Sequence, residues 1–218
     1  SGNTAEHFDE HVSKSIPLYS EGHRLVRYLS DFFLIDESRC YEVGTSTGTQ
    51  LLTLAAYTKE KKSVNYIGID IEPRMIEVAR SKSEKLHLQH HVAFDVADCL
   101  SYEFEPADMV ILNYTLQFIH PSVRQDFVDR IYASLNWGGA LVLFEKVRGA
   151  DARFQDILTA CYNEYKLDQG FSSEEIFEKT RSLRGVMDPF TSRGNIELME
   201  RAGFVDINTI HKYICFEG

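Results

Sequence analysis

After residue 35 the chain alternates between two kinds of segment, and that alternation limits the folds open to it. Short β-branched runs at Arg39–Val43, Val64–Asp70, His91–Phe94, Met109–Asn113, Ala140–Glu145 and Asp206–Tyr213 read as strands. Between them, Gly48–Thr58, Pro73–Leu86, Ser122–Leu135 and Asn195–Ala202 carry apolar residues at helical spacing. Pro73 suits a first helical turn, and Gly138-Gly139 and Gly203 mark helix exits. Strands and helices taking turns predict βαβ crossovers. The expected fold is therefore α/β, a doubly wound, mostly parallel sheet covered on both faces.

Two regions break the alternation. Residues 6–34 hold Leu18, Leu25, Tyr28, Leu29, Phe32 and Phe33 at helical spacing, and 1–34 is expected to cap one edge of the domain. Residues 150–188 read as two helices, with Phe154, Ile157, Leu158, Cys161 and Tyr165 on one face of the first, and Ile176, Phe177 and Leu183 on the second. An insertion of this kind serves as a substrate lid, as a dimer surface or as extra cover for the core, and spacing does not choose among them. With 218 residues and no internal repeat, the whole of 1–218 is read as one domain.

Acidic residues outnumber basic ones 33 to 23, so a dedicated phosphate-backbone binder, which needs clustered Lys and Arg, is not expected. Cys40, Cys99, Cys161 and Cys215 form no CxxC pair, and His87, His90 and His91 lack an acidic partner at metal-ligand spacing. Neither a metal site nor a disulfide framework is expected. No run approaches the ~18 apolar residues of a membrane span, and the polar stretch Ser1–Glu10 is unlike a signal peptide, which leads to a cytoplasmic expectation. Lys59–Lys62 reads as a solvated loop, and Trp137 as an anchor for the turn into the fifth strand.

The most informative stretch is Tyr41-Glu42-Val43-Gly44-Thr45-Ser46-Thr47-Gly48, a strand running into small residues and then a helix. Small residues let backbone approach a ligand closely, and the helix start offers free amides. The dinucleotide spacing G-x-G-x-x-G is absent, and Glu42 is a poor neighbour for a diphosphate. A buried acid there suits a cationic ligand. Asp70 closes the second strand, where doubly wound folds place a carboxylate that accepts from both hydroxyls of an unphosphorylated ribose, with Ile71 beside it. Asp98-Cys99 follows the third strand, where the carboxylate can accept from an adenine amino group, and Asn113 ends the fourth. Polar groups from four strand ends then face one crevice.

These residues make the chain similar to the class I S-adenosylmethionine-dependent methyltransferases, whose sheet is Rossmann-like. Within them it resembles the carboxy-S-adenosylmethionine synthase family over nearly its whole length. The likeness runs through Ser15-Ile16-Pro17-Leu18-Tyr19-Ser20, the Gly44-Thr45-Ser46 turn, and above all Asn113-Tyr114-Thr115-Leu116-Gln117-Phe118. It continues through Gly138-Gly139-Ala140-Leu141-Val142-Leu143, Glu145-Lys146 and Ala202-Gly203-Phe204.

The resemblance implies that Tyr19, Gly44, Thr45, Ser46, Asp70, Ile71, Asp98, Cys99 and Asn113 bind S-adenosylmethionine or its carboxylated form, and the reading of the turn adds Glu42 and Gly48 to the expected cofactor set. It also implies a homodimer. Tyr19, Asn113 and His120 are the candidates nearest the reacting methyl. His120 is a possible general base, set against a plain helix start at His120-Pro121-Ser122 with an exposed ring. One departure guides the functional expectation: the arginine that the family places before Ala-Gly-Phe for the extra carboxylate is matched here by Leu198, with Arg193 the nearest substitute.

The first expectation is therefore S-adenosylmethionine-dependent methyl transfer to a small molecule, without direct contact with nucleic acid or membrane. The second is carboxy-S-adenosylmethionine synthesis from S-adenosylmethionine and prephenate for tRNA wobble-uridine modification. A third is a non-catalytic cofactor-binding or interaction domain. The fold's sheet ends in a hairpin, and its last strand is expected to be missing or very short, as in a truncated chain.

Overall fold

A computed structural model describes residues 7–58 and 63–218, so Lys59–Lys62 and the first six residues lie outside the described part. The elements run α1 (Phe8–Ser15), α2 (Tyr19–Phe33), β1 (Arg39–Val43), α3 (Thr49–Thr58), β2 (Asn65–Asp70), α4 (Pro73–Lys85), β3 (Val92–Val96) and β4 (Ala107–Asn113). A 3-10 turn, Leu116–Phe118, precedes α5 (Pro121–Ser134), β5 (Leu135–Lys146), α6 (Ala152–Asp168), α7 (Ser173–Ser182), α8 (Ser192–Ala202), β6 (Lys212–Tyr213) and β7 (Phe216–Glu217).

The strands lie in the order β3-β2-β1-β4-β5-β7-β6. Pairing is parallel from β3 to β5, and β7 joins β5 and β6 antiparallel. Strands covered on both faces must be apolar on both, and β4 shows how. Met109 and Ile111 point into one core with Leu51, Leu52 and Ile76 of α3 and α4, while Val110 and Leu112 point into the other with Phe127, Val128 and Ile131 of α5. Ala107 breaks the parity because the β4–β5 register shifts between Ala107 and Met109.

The terminal hairpin is present with two residues in each strand, very short as expected. Four other expectations need correction. Asp206–Tyr213 is mostly irregular, and only Lys212 and Tyr213 pair. Trp137 is fully exposed and anchors nothing. On α6 the inward face is Leu158, Tyr162 and Lys166, spaced four apart, while Phe154 and Ile157 point outward. Leu198 is 3% exposed and sits in the core between α8 and α5, away from the crevice at the strand ends. Arg193 is exposed and paired with Glu197 at 2.6 Å.

An arginine placed at 198 would meet Phe127 and Ile131 instead of a ligand. Leu198→Arg is therefore expected to destabilise the protein by about 3 kcal/mol or more, the cost of an unpaired charge in a packed core. Thermal denaturation without ligand measures this; a stability equal to the parent would show that position 198 has access to solvent or an anion.

Candidate active site

The order of the sheet reverses between β1 and β4, because the helices after these neighbours leave to opposite faces. A crevice opens at their carboxyl ends. It leads into a cavity of about 1260 Å³, roofed by α1 and by the α6–α7 insertion. Tyr19, Glu42, Gly44, Thr45, Ser46, Asp70, Ile71, Asp98, Cys99, Asn113 and His120 all line it. The insertion lines it as well, through Tyr162, Lys166, Phe171 and Leu183.

Local chemistry sets the turn after β1. Gly44 has φ of 72°, and a Cβ there would overlap the Thr115 side chain, so only glycine fits. Thr115 Oγ1 donates to the Val43 carbonyl at 2.8 Å, which ties the ends of β1 and β4 together. Ser46 N donates to Asp70 Oδ2 at 2.8 Å, and Glu72 N donates to Oδ1 at 2.9 Å, fixing the carboxylate at the mouth of the cavity. Leu18, Ser46 and Tyr114 all have left-handed backbone, with φ of 54°, 50° and 60°. Such strain collects at functional sites.

Gly48 and His120 stand apart from the expectation. Gly48 does not line the cavity; its missing Cβ makes room for Phe94 and Ala79, so it serves helix–strand packing. His120 is exposed and caps α5. Its Nδ1 accepts from Ser122 N at 3.3 Å and lies 2.7 Å from Ser122 Oγ, an engagement that does not suit a general base.

Glu42 is buried, 2% exposed. Burial raises its pKa to about 8, against Thr45 Oγ1, which donates to it at 2.6 Å, and the amide of Leu51 at the start of α3. The acid is therefore largely protonated at neutral pH until a cation arrives.

Two contributors escaped sequence reasoning. His23 stands behind Asn113, whose Nδ2 donates to His23 Nε2 at 3.1 Å, and its ring meets Tyr19 at 4.2 Å. Burial lowers its pKa to about 4, so it stays neutral and able to accept. The signal was its position four residues after Tyr19 on one helix face. Gln50, in the first turn of α3, is 3% exposed, lines the cavity, and has neither side-chain amide atom paired. A buried amide without partners is costly, and a ligand in the cavity would satisfy it. These groups fit the cationic, ribose-bearing cofactor.

Asp9 of α1 closes the roof over the turn. It accepts from Thr47 Oγ1 at 2.6 Å and Thr49 Oγ1 at 3.0 Å, and pairs with Lys82 of α4. The insertion meets α1 through Tyr162, whose hydroxyl donates to the Ser15 carbonyl at 2.9 Å, and through His11 against Phe171 at 5.5 Å. Among the described residues no helix is long and apolar enough to cross a membrane.

Comparison with known proteins agrees with this geometry. Residues 41–139 match the family described as "Methyltransferase domain". The chain is 36% identical over 218 residues to the carboxy-S-adenosyl-L-methionine synthase of Staphylococcus epidermidis, covering 100% of this chain and 93% of that one. A protein of the same name from Campylobacter lari is 31% identical over 215 residues, covering 99% and 90%. Among solved structures, the S-adenosylmethionine-dependent methyltransferase SibL superposes with a TM-score of 0.62 at 15% identity, over 91% of this chain and 53% of that one, a likeness of fold.

Two outcomes follow for the cofactor end. Because a bound cation favours ionised Glu42, S-adenosylmethionine affinity should rise with pH from 6 toward about 8, with release of a proton. Glu42→Gln should lose both effects, read by calorimetry in buffers of different ionisation enthalpy. A wild-type affinity flat over this range would remove Glu42 from cofactor binding. Gln50→Leu should raise the melting temperature of the free protein, by relieving an unpaired amide, while weakening the cofactor about tenfold. Unchanged affinity would assign Gln50 to packing alone.

Proposed function

The chain belongs to the carboxy-S-adenosyl-L-methionine synthase family of methyltransferase-like enzymes, and from that membership we propose that it carboxylates S-adenosylmethionine. The donor is prephenate, as the resemblance implies, and the product serves tRNA wobble-uridine modification. The single observation that carries this reading is the cavity itself. Its 1260 Å³ exceeds the usual ~300–1000 Å³ of a pocket for one small ligand, and it continues past the strand ends beneath the insertion. A cleft of this volume suits two molecules side by side.

Plain methyl transfer, the first expectation from sequence, drew its support from Leu198. That residue faces the α5 core, so its identity says nothing about a carboxylate in the cleft. S-adenosylmethionine supplies a sulfonium-activated methyl carbon, on which one proton is exchanged for carbon dioxide from the donor; the ring hydroxide of prephenate takes that proton away as water, leaving phenylpyruvate.

The chain's own residues bind, orient and exclude water. Asp70, Asp98 and the Gly44–Ser46 turn would hold the nucleoside, and Glu42 and Gln50 at the strand end would hold the amino-acid portion. Tyr19 and Asn113, braced by His23, would flank the reacting carbon. Tyr19 is unsuited to act as a base, because burial, with Glu42 and Asp9 adding to it, drives its phenol pKa far upward. Its part is to position and to exclude water. The exposed Phe154, Ile157 and Phe177 on the outer face of the insertion support the homodimer.

Incubation with S-adenosylmethionine and prephenate should yield a nucleoside product about 44 Da heavier than S-adenosylmethionine, the mass of one carbon dioxide. Mass spectrometry decides the matter. S-adenosylhomocysteine formed with a methylated acceptor, and no heavier product, would return the reading to methyl transfer.

A further inference from the structure

The cleft has a second pole that the cofactor residues leave unused. Lys146 at the end of β5 and Lys166 on the inner face of α6 both line the cavity and converge on one ring. Their Nζ atoms lie 4.5 and 4.4 Å from the centroid of Tyr162. Lys166 is only 9% exposed. No carboxylate among the described residues acts on either ammonium. Burial lowers the pKa of Lys146; burial, and then Lys146 itself, lower that of Lys166 to about 8, and the one group pulling the other way is the Cys215 thiol.

The arrangement has no structural motive. In a chain with 33 acidic residues, the two converging ammoniums have no acid partner among the described residues, and contact with a single tyrosine ring is weaker than an ion pair. Two methionines would fill the same space without the desolvation or the repulsion. An anion in the cavity would remove both costs. The way to it is aromatic: Tyr19 stands 6.3 Å from Tyr114, Tyr114 stands 5.9 Å from Phe216, and Phe216 stands 5.1 Å from Tyr162. This wall runs from the cofactor residues to the lysines.

We propose that Lys146 and Lys166 are the carboxylate-binding pole of the cleft and hold the dianionic carboxyl donor, its ring laid along Tyr114, Phe216 and Tyr162. The identity of the donor rests on the reaction proposed above; the anion site rests on the two lysines. Once the transferred carboxyl has left, the donor's remnant carries one negative charge instead of two, so the same lysines hold it less tightly and release it.

The test uses the full chain saturated with S-adenosylhomocysteine, which lacks the methyl carbon and so cannot turn over, titrated with prephenate in a calorimeter. Lys146→Met and Lys166→Met should each weaken prephenate about tenfold or more, as expected for removing a charge from a desolvated pair. Both should keep S-adenosylmethionine affinity within about twofold and melt no lower than the parent, since each removes a desolvated charge that has no carboxylate partner among the described residues. Lys166→Arg should retain most of the prephenate affinity, which a packing role would not predict.

Methionine variants that bind prephenate like the parent would overturn the assignment, as would a parent that binds none. The reaction is judged separately, by the heavier product. A parent that binds prephenate through these lysines yet forms no such product would leave the anion site standing and the carboxylation reading refuted.

Discussion

The cleft depends on the join between β1 and β4, two parallel neighbours whose chains leave the sheet in opposite directions. At that point the backbone must turn sharply twice within one strand spacing. Gly44 makes one turn because no side chain fits against Thr115, and Tyr114 makes the other in a left-handed conformation that costs about 1–3 kcal/mol. The hydrogen bond from Thr115 to Val43 closes the join. Ser46, Asp70 and Asn113 take their places relative to it, so the cofactor end is as rigid as the sheet.

Above this floor the enzyme is built from less regular parts. Asp9 brings α1 down onto Thr47 and Thr49, with Lys82 supplying the opposite charge from α4. Tyr162 then ties the insertion to the end of α1. Glu42, Asp70 and Asp98 line the cavity at the strand ends and Lys146 and Lys166 beneath the insertion, where Glu175, Glu178, Lys179 and Arg184 line it too. In a chain of net charge −10, the carboxylates at the strand ends and the lysines beneath the insertion thus carry opposite sign within one cavity, the arrangement on which the proposed pairing of a cationic and an anionic ligand rests.

Much of this was legible in the sequence. Because buried parallel strands and amphipathic helices write their burial into local spacing, periodicity placed the first four strands and the helices between them to within two residues, though it missed the first five residues of the fifth strand. The turn from Glu42 to Ser46 and the acids at later strand ends were legible for the same reason, since each sits at a boundary between elements. What local spacing could not supply was orientation about a helix axis. Leu198 and Lys166 each lie on a helix whose inward face was set by distant partners, α5 for one and Phe216, against Tyr162 of the same helix, for the other. Gln50 looked like any polar residue in a first helical turn, and only its lack of partners in the folded chain gives it meaning. His120 carried the more suggestive chemistry by type, yet the adjacent Ser122 holds it as a cap.

The aromatic wall has one consequence for how the protein comes into being. Tyr19 and Phe216 meet the same Tyr114 ring although nearly two hundred positions of chain separate them. During synthesis, β1 to β4 can pair and bury their cores while the wall still lacks its far side, and the lysine pole waits for β7 to dock on β5. Ligand competence therefore depends on a long-range closure, since the wall joining the two ends of the cleft is complete only once β7 pairs with β5.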